Sequence, residues 1–516
     1  MIPPFFCLLN RLTFLNLAAN SFNGSIPSCL GNLSSLTHLD LSYNQLSGSI
    51  PTSLGSLSLL SYLHLYNNQL TGNIPDSLGN LYLLRELLIY NNQLSGTIPS
   101  SFARLSSLTY LHGNGNRFNE TISSSSLPPS LLELSLSLNY YQSISESVFH
   151  KLTNLYYLYL SNCVLNISTT WIPSFQLAVL RLVSCMIDGE FPPWISTQFS
   201  LEILELTNAS LVGAFPSWLG ETSPSLRSLN LSGNHLEGSL FSNTSTGMEL
   251  YELDVSRNRL SGQIPSMWFS SMQILLLNDN LFTGNIPSNL GILSYLELLN
   301  LANNKVTGVI PTSLSNCSSL AVLNLGNNSL EGSLPHELSK LSHLYSLVVR
   351  SNNLNGSFPP SIVNCSNLLV LDIGDNLIGG KIPTSITNLS SLSVLVMKEN
   401  HFTGNIPFEI GLLKQLQILL LSSNHISGSI PHTIVSLQAM AIESQDGFEV
   451  STLSFSDGNL YHDGLDMTLK GTNQHYPYIL STLTSIDLSN NELEGQVASN
   501  LGNLKGLRLL NLSIKN

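Results

Sequence analysis

Apolar residues along this chain follow one figure that returns every 24 residues. From Leu36 to Leu59 the chain reads LTHLDLSYNQLSGSIPTSLGSLSL, which generalises to L-x-x-L-x-L-x-x-N-x-L-x-G-x-I-P-x-x-L-x-x-L-x-x. Starts at Leu12, Leu36, Leu60, Leu84 and Leu108 keep the 24-residue step, as do Leu296, Leu320, Leu344, Leu368, Leu392 and Leu416. About twenty copies are present, and a leucine and asparagine period in the twenties is the signature of a leucine-rich-repeat solenoid. No single helical stripe accommodates spacings of three and two together, so amphipathic helices are excluded. The Leu-x-Leu pair predicts a short strand with leucines inward and the intervening residues outward.

Each position has a physical task. The fold expected is an α/β-type repeat solenoid, a plant-type leucine-rich-repeat superhelix. Its parallel β-sheet lines the concave face, and its convex side is mostly irregular or short-helical, each coil burying its leucines only against its neighbours. Asn20, Asn44, Asn68 and Asn92 are expected inside the turn, where an amide can satisfy buried backbone groups. Gly24, Gly48, Gly72 and Gly96 suit a bend at positive φ, and Ile-Pro restarts an extended segment.

The period divides the chain. Residues 1–11 align with the second half of a repeat, Ile2 on Ile26 and Pro3 on Pro27. No basic residue precedes their apolar run, so they do not read as a secretion signal. Residues 12–439 form the array of about 18 repeats, irregular around 116–222, where NETISSSSLPPS and NYYQSISESVFHKLTN replace the Gly-x-Ile-Pro segment. Residues 440–482 interrupt it, because the clean start after Leu416 is Leu483. Within this island LDMTLK alternates like a strand, and DGFE, SDGN and HDG read as turns. Residues 483–516 resume the repeats, the last one truncated, with Lys515 at a ladder position.

Composition narrows the function. Charged residues are 10% of the chain, the net charge is −13 and Lys plus Arg total 19, so a nucleic-acid surface is not expected. No apolar run approaches a membrane helix. Six cysteines show no Cys-x-x-Cys spacing. Cys163 and Cys185 take the ladder place of Asn in consecutive coils. One strand spacing (roughly 4.8 Å) brings them to disulfide reach, and we read them as two buried thiols. Cys317 and Cys365 lie two coils apart, too far to pair. Sequons stand at Asn23, Asn32, Asn119, Asn166, Asn208, Asn230, Asn243, Asn316, Asn327, Asn355, Asn364, Asn388 and Asn511. A glycan at Asn230 would divide the concave face.

No phosphate loop, kinase loop, H-E-x-x-H or G-x-S-x-G occurs. HGNGN (His112 to Asn116) lies in the repeat frame, with Gly113 at a core leucine position, and His336 and His343 lie along a solvated flank. Binding rather than catalysis is therefore expected, with no cofactor and no metal. The outward strand positions give the candidate ligand face: His38, Tyr62, His64, Tyr66, Tyr90, Tyr110, His112, Tyr157 and Tyr159. Tyrosine and histidine offer large contact area, a polar tip and little rotamer entropy to lose, and the histidines predict pH-dependent binding between about 5 and 7. Glu205, Glu252 and Asp254 predict an acidic patch suited to a basic ligand. Val348, Val396 and Leu420 put apolar groups outward where the island is expected to cover them. Trp194 and Trp218 are expected in a stacked flank core.

Two stretches carry a family resemblance: WIPSFQLAVLRLVSCMIDGEFPPWISTQFSLEILEL (Trp171 to Leu206), and YHDGLDMTLKG followed by ILSTLTSIDLSNNELEG. With its Gly-x-Ile-Pro repeats, the whole chain resembles the plant leucine-rich-repeat receptor-like proteins, cell-surface receptors without a kinase. The resemblance implies a ligand-recognition ectodomain that binds a peptide or protein on its concave face, in defence or development. It also implies a receptor-like kinase adaptor and a co-receptor kinase as partners, and the extracellular face of the plasma membrane as location. The family's signal peptide, N-terminal cap, later repeats and membrane helix are not in this sequence, so it reads as an ectodomain truncated at both ends. The alternatives are a soluble inhibitor of a secreted cell-wall hydrolase, against which the island argues, a kinase-bearing receptor, and a non-functional gene fragment.

Overall fold

The computed structural model describes residues 1–516 except 142, 188, 220–223, 242–248, 267, 442–452, 455–459, 462–464, 470–471, 477–482, 498 and 514–516. The chain divides into two units, Met1–Ser261 and Gly262–Asn516. Each is a leucine-rich-repeat solenoid built on a sheet of parallel three- to five-residue strands. The first unit contributes eleven strands, from Phe14–Asn16 to Glu252–Asp254. The second contributes nine, from Ile274–Leu276 to Leu509–Asn511.

Register is set by the central leucine of each strand. Leu15, Leu39, Leu63, Leu87 and Leu111 pair in line and point into the core, each essentially inaccessible. Alternation then forces the residues on either side outward. The irregular region keeps this register by changing coil length. Tyr110 pairs with Glu133, Tyr157 with Val179 and Ile203 with Ser228, so a residue or two is lost or gained in the connection while the leucines stay aligned. In the second unit Ile418–Leu420 pairs with Ser485–Asp487, so the sheet passes directly over the inserted segment. Within that segment Leu465–Leu469 pairs antiparallel with Thr472–Tyr476.

Behind the strands the asparagines interlock. The Asn92 amide donates to Leu65 O, Ile89 O and Tyr90 O at 3.0–3.2 Å, while its oxygen accepts from Leu70 N at 2.9 Å. Leu65 O also accepts from Asn68, and Ile89 O from Asn116, so each amide shares its acceptors with the amides of neighbouring coils. Among the described residues three coils lack the amide and present Cys163, Cys185 and Ala209 instead. The two thiols are buried and free, with sulfurs 2.8 Å apart. Their shared S–H···S contact and burial push the Cys163 thiol up. Cys317 and Cys365 are also free and buried, and burial pushes each thiol up to about 11.

The flank holds more β-structure than the repeat pattern indicated. Gln45–Gly48, Gln69–Asn73 and Gln93–Gly96 pair in a second parallel strip, which bends away where Gly48 and its equivalents take φ near +74. Proline then starts a five-residue 3₁₀ turn such as Thr52–Ser56, seating Leu54 in the core. These turns stack so closely that a Cβ on Gly55 would lie 2.3 Å from Ser77 O. Where Gly55 faces Ser77, the first coil has Cys7 facing Cys29, and these two form a disulfide that the sequence reading did not assign.

Candidate functional site

Two columns of outward side chains cross the first unit. One runs Phe14, His38, Tyr62, Glu86, Tyr110, Glu133, Tyr157; its neighbour runs Asn16, Asp40, His64, Leu88, His112, Ser135, Tyr159. Tyr66 and Tyr90 follow the second core leucine of their coils and extend the surface sideways. All nine expected residues are half-buried.

The rings form a chain of contacts. Phe14 stacks on His38 with centroids 4.4 Å apart, and His38 meets Tyr62 at 5.4 Å and His64 at 5.3 Å. His64 leads to Tyr66, which stacks on Tyr90 at 4.4 Å, and Tyr90 reaches His112 at 6.4 Å. Tyr43 closes edge-on against Tyr66 at 5.3 Å. Such pairs hold the rings in place before any ligand arrives. Tyr110, Tyr157 and Tyr159 carry the columns further.

Carboxylates thread through the aromatics. Glu86 Oε2 accepts from His64 Nε2 at 3.1 Å, and Glu133 Oε1 lies 2.9 Å from His112 Nε2. Asp40 is buried and accepts through Oδ1 from the amide and hydroxyl of Ser42. Burial, then the neighbouring His64, hold the His38 imidazole below its ordinary pKa. Burial and the neighbouring Tyr66 push the Tyr90 phenol up to about 12. Burial raises Tyr157 and Tyr159 as well. The face therefore sets ring faces and phenol hydroxyls beside the carboxylates of Asp40, Glu86 and Glu133. Phe14, Tyr43, Asp40, Glu86 and Glu133 belong to this surface and were missed. Phe14, Glu86 and Glu133 occupy the column of His38 and Tyr62, so the register alone would have found them.

The remaining expectations fare differently. The acidic patch is not open: Glu252 and Asp254 are each 9% exposed, Ser228 Oγ donates to Glu252 at 2.8 Å, and Glu205 lies 3.4 Å from Arg181 Nε. A basic ligand would find these charges already engaged. Burial raises the Asp254 pKa, offset in part by Ser256. A raised carboxyl contributes stability below its unfolded pKa and loses it as pH rises through the folded one. Asp254→Asn, which can still accept from Ser256 N, is expected to melt higher than wild type at pH 7. That gap should close as the pH falls below the ordinary carboxylate range, followed by calorimetry. An Asn variant with a constant offset at every pH would contradict this.

Val348, Val396 and Leu420 do face the concave side, yet they are buried with Val370, Val394 and Ile418. The side chains of 442–482, expected to cover them, lie outside the described residues. Trp194 is buried edge-on to Trp171, and Trp218 packs edge-on to Phe191. Gly113 sits in the core, where a Cβ would meet Phe118 and Leu136. Among the sequons, Asn23, Asn32, Asn119, Asn166, Asn208, Asn316, Asn355, Asn364 and Asn388 are exposed. Asn230, on the concave strand Ser228–Asn230, is half-buried, as are Asn327 and Asn511; Asn243 is outside the described residues. Among the described residues no helix is long and apolar enough to cross a membrane.

The stacked coils define a solenoid of the leucine-rich-repeat class. The model described as leucine-rich repeat region matches residues 4–260, and those described as leucine rich repeat match 294–354, 342–402, 415–437 and 482–504. The receptor-like protein EIX2 of Solanum lycopersicum is 35% identical over 148 residues, which are 28% of this chain and 14% of that protein. The receptor kinase HAESA of Arabidopsis, solved with the peptide hormone IDA and the co-receptor SERK1, matches with a TM-score of 0.69 at 27% identity. That match covers 96% of this chain and 85% of HAESA's. The plant peptide hormone receptor RGFR1, solved with RGF2, matches at 0.64 and 26% identity over 98% of this chain and 86% of its own. The chain belongs to the leucine-rich-repeat family, and its similarities include plant leucine-rich-repeat receptor-like proteins and plant receptor ectodomains.

Proposed function

We propose that the strip from Phe14 to Tyr159 is the ligand-recognition face of a receptor ectodomain that takes a peptide or protein. The observation that carries this reading is the ring-on-ring packing that runs from Phe14 through His38, Tyr62, His64, Tyr66 and Tyr90 to His112 across successive strands. Rings that are already ordered lose little entropy on binding, and interface energy concentrates on such residues. The solved relatives named with bound peptides support a peptide ligand. The Cys7–Cys29 disulfide suits an oxidising compartment, in keeping with the outer face of the plasma membrane. In this reading the receptor signals through a receptor-like kinase adaptor and a co-receptor kinase, in defence or development.

The test uses random peptides displayed on phage and selected on the wild-type chain. Each selected peptide is then measured against the triple variant Tyr62→Ala, Tyr66→Ala, Tyr90→Ala. Binding is expected to weaken by about 100-fold or more, with the circular dichroism spectrum unchanged. Selected peptides that bind variant and wild type alike would remove this reading.

A further inference from the structure

Within the aromatic face, three potential metal-ligating side chains converge. The ligand atoms of His38, Asp40 and His64 all lie within 4.8 Å of one another. The strands dictate this: His38 and Asp40 are two apart on one strand and so share a face, and His64 pairs directly with Asp40 on the next.

The arrangement of protons makes the cluster more than a coincidence of spacing. An ionised Glu86 can only accept, so its 3.1 Å bond places the His64 proton on Nε2. In the neutral imidazole Nδ1 is then a lone pair, and it faces Asp40 Oδ2 across 3.9 Å, too far for a hydrogen bond. Two acceptors oppose each other with His38 alongside, which is the environment a cation relieves. An outer carboxylate fixing the tautomer of a ligating imidazole is a recurrent support of zinc ligands. Asp40 is itself held by the Ser42 amide and hydroxyl through Oδ1, leaving Oδ2 toward the cluster, where Asn16 Nδ2 stands 3.4 Å away. The His38 ring is steadied by its stack on Phe14.

We propose that His38, Asp40 and His64 bind a divalent transition-metal ion of the zinc class, with Glu86 orienting His64 from outside the coordination sphere. Two imidazoles and one carboxylate suit zinc and its neighbours rather than calcium or magnesium, which prefer oxygen. Ligand atoms around zinc stand roughly 3.4 Å apart, so side-chain rotations that draw the cluster in by about 1 Å complete the site. Three ligands offered from a sheet surface leave a coordination position open to the concave side, available to water or to an oxygen of a bound partner. The site does not depend on the peptide-binding reading.

The test is calorimetric titration of the metal-stripped chain with zinc chloride, repeated with cobalt chloride and followed by visible absorption. One site of micromolar or tighter affinity is expected, with the absorption of a low-coordinate cobalt centre. His38→Ala and His64→Ala should each weaken it by about 100-fold, and Glu86→Gln by about 10-fold, with unchanged melting of the apo chain. The stacked pair His401 and His425 serves as control, and its double Ala variant should bind as wild type does. The tyrosine triple variant should keep zinc while losing selected peptides, which separates the two readings. Failure of the wild type to take up zinc, or unchanged uptake by His64→Ala, would overturn the proposal.

Discussion

Asn92→Asp, an isosteric exchange, is expected to destabilise the first unit by about 3–5 kcal/mol at pH 7, the range for an uncompensated buried charge. The wild-type amide is buried and directs both hydrogens at carbonyls: Leu65 O at 3.0 Å, Ile89 O at 3.2 Å and Tyr90 O at 3.2 Å. A carboxylate would turn an oxygen toward the same three acceptors. Asn92→Ala should cost less, about 2–4 kcal/mol. There only Leu70 N loses its partner outright, because Leu65 O and Ile89 O keep the amides of Asn68 and Asn116. Urea denaturation of the two variants checks the order. Equal costs would mean that lost volume, not the donor, sets the stability. Coils interact with their neighbours alone, so the loss should spread outward from this turn and be visible in amide exchange around Leu65 and Ile89.

Removing the disulfide with Cys7→Ser and Cys29→Ser is expected to cost about 3 kcal/mol, the chain-entropy value for a loop of this length. The bond joins residues 22 apart in sequence and ties the first 3₁₀ turn, Pro4–Leu8, to the second, Ser28–Asn32. The first turn buries none of its own residues, so little else retains it. The variant should therefore lose protection first in residues 4–16 by hydrogen exchange, while the later strands of the unit melt as before. Uniform loss across the unit would show that the bond governs the whole array rather than its first coil.

These two positions mark how far the sequence could be read. Asn92 was legible because its task is local to the repeat: a short amide at a fixed place after Leu-x-Leu has the same carbonyls around it in every regular coil. The disulfide was not, since its cysteines are 22 apart against a period of 24. Only the stacking of 3₁₀ turns reveals that Cys7 holds the place of Gly55 and Cys29 that of Ser77, a close approach between coils. The second strip of strands was missed for a similar reason. QLSG carries no alternating apolar pattern, and its pairing follows from the coils being held in register by the leucines.

The candidate site divides the same way. By itself the sequence determined the repeat, the core leucines, the ladder amides and the tyrosines and histidines that face outward, because strand alternation at a fixed period leaves each of them one orientation. Only the tertiary structure decided what stands beside each outward residue. It sets Glu86 against His64, turns Asp40 toward the two histidines, and withdraws Glu252 and Asp254 from solvent. Most of those neighbours come from other coils, and their distances depend on the small rotation and rise between coils, which no single repeat encodes.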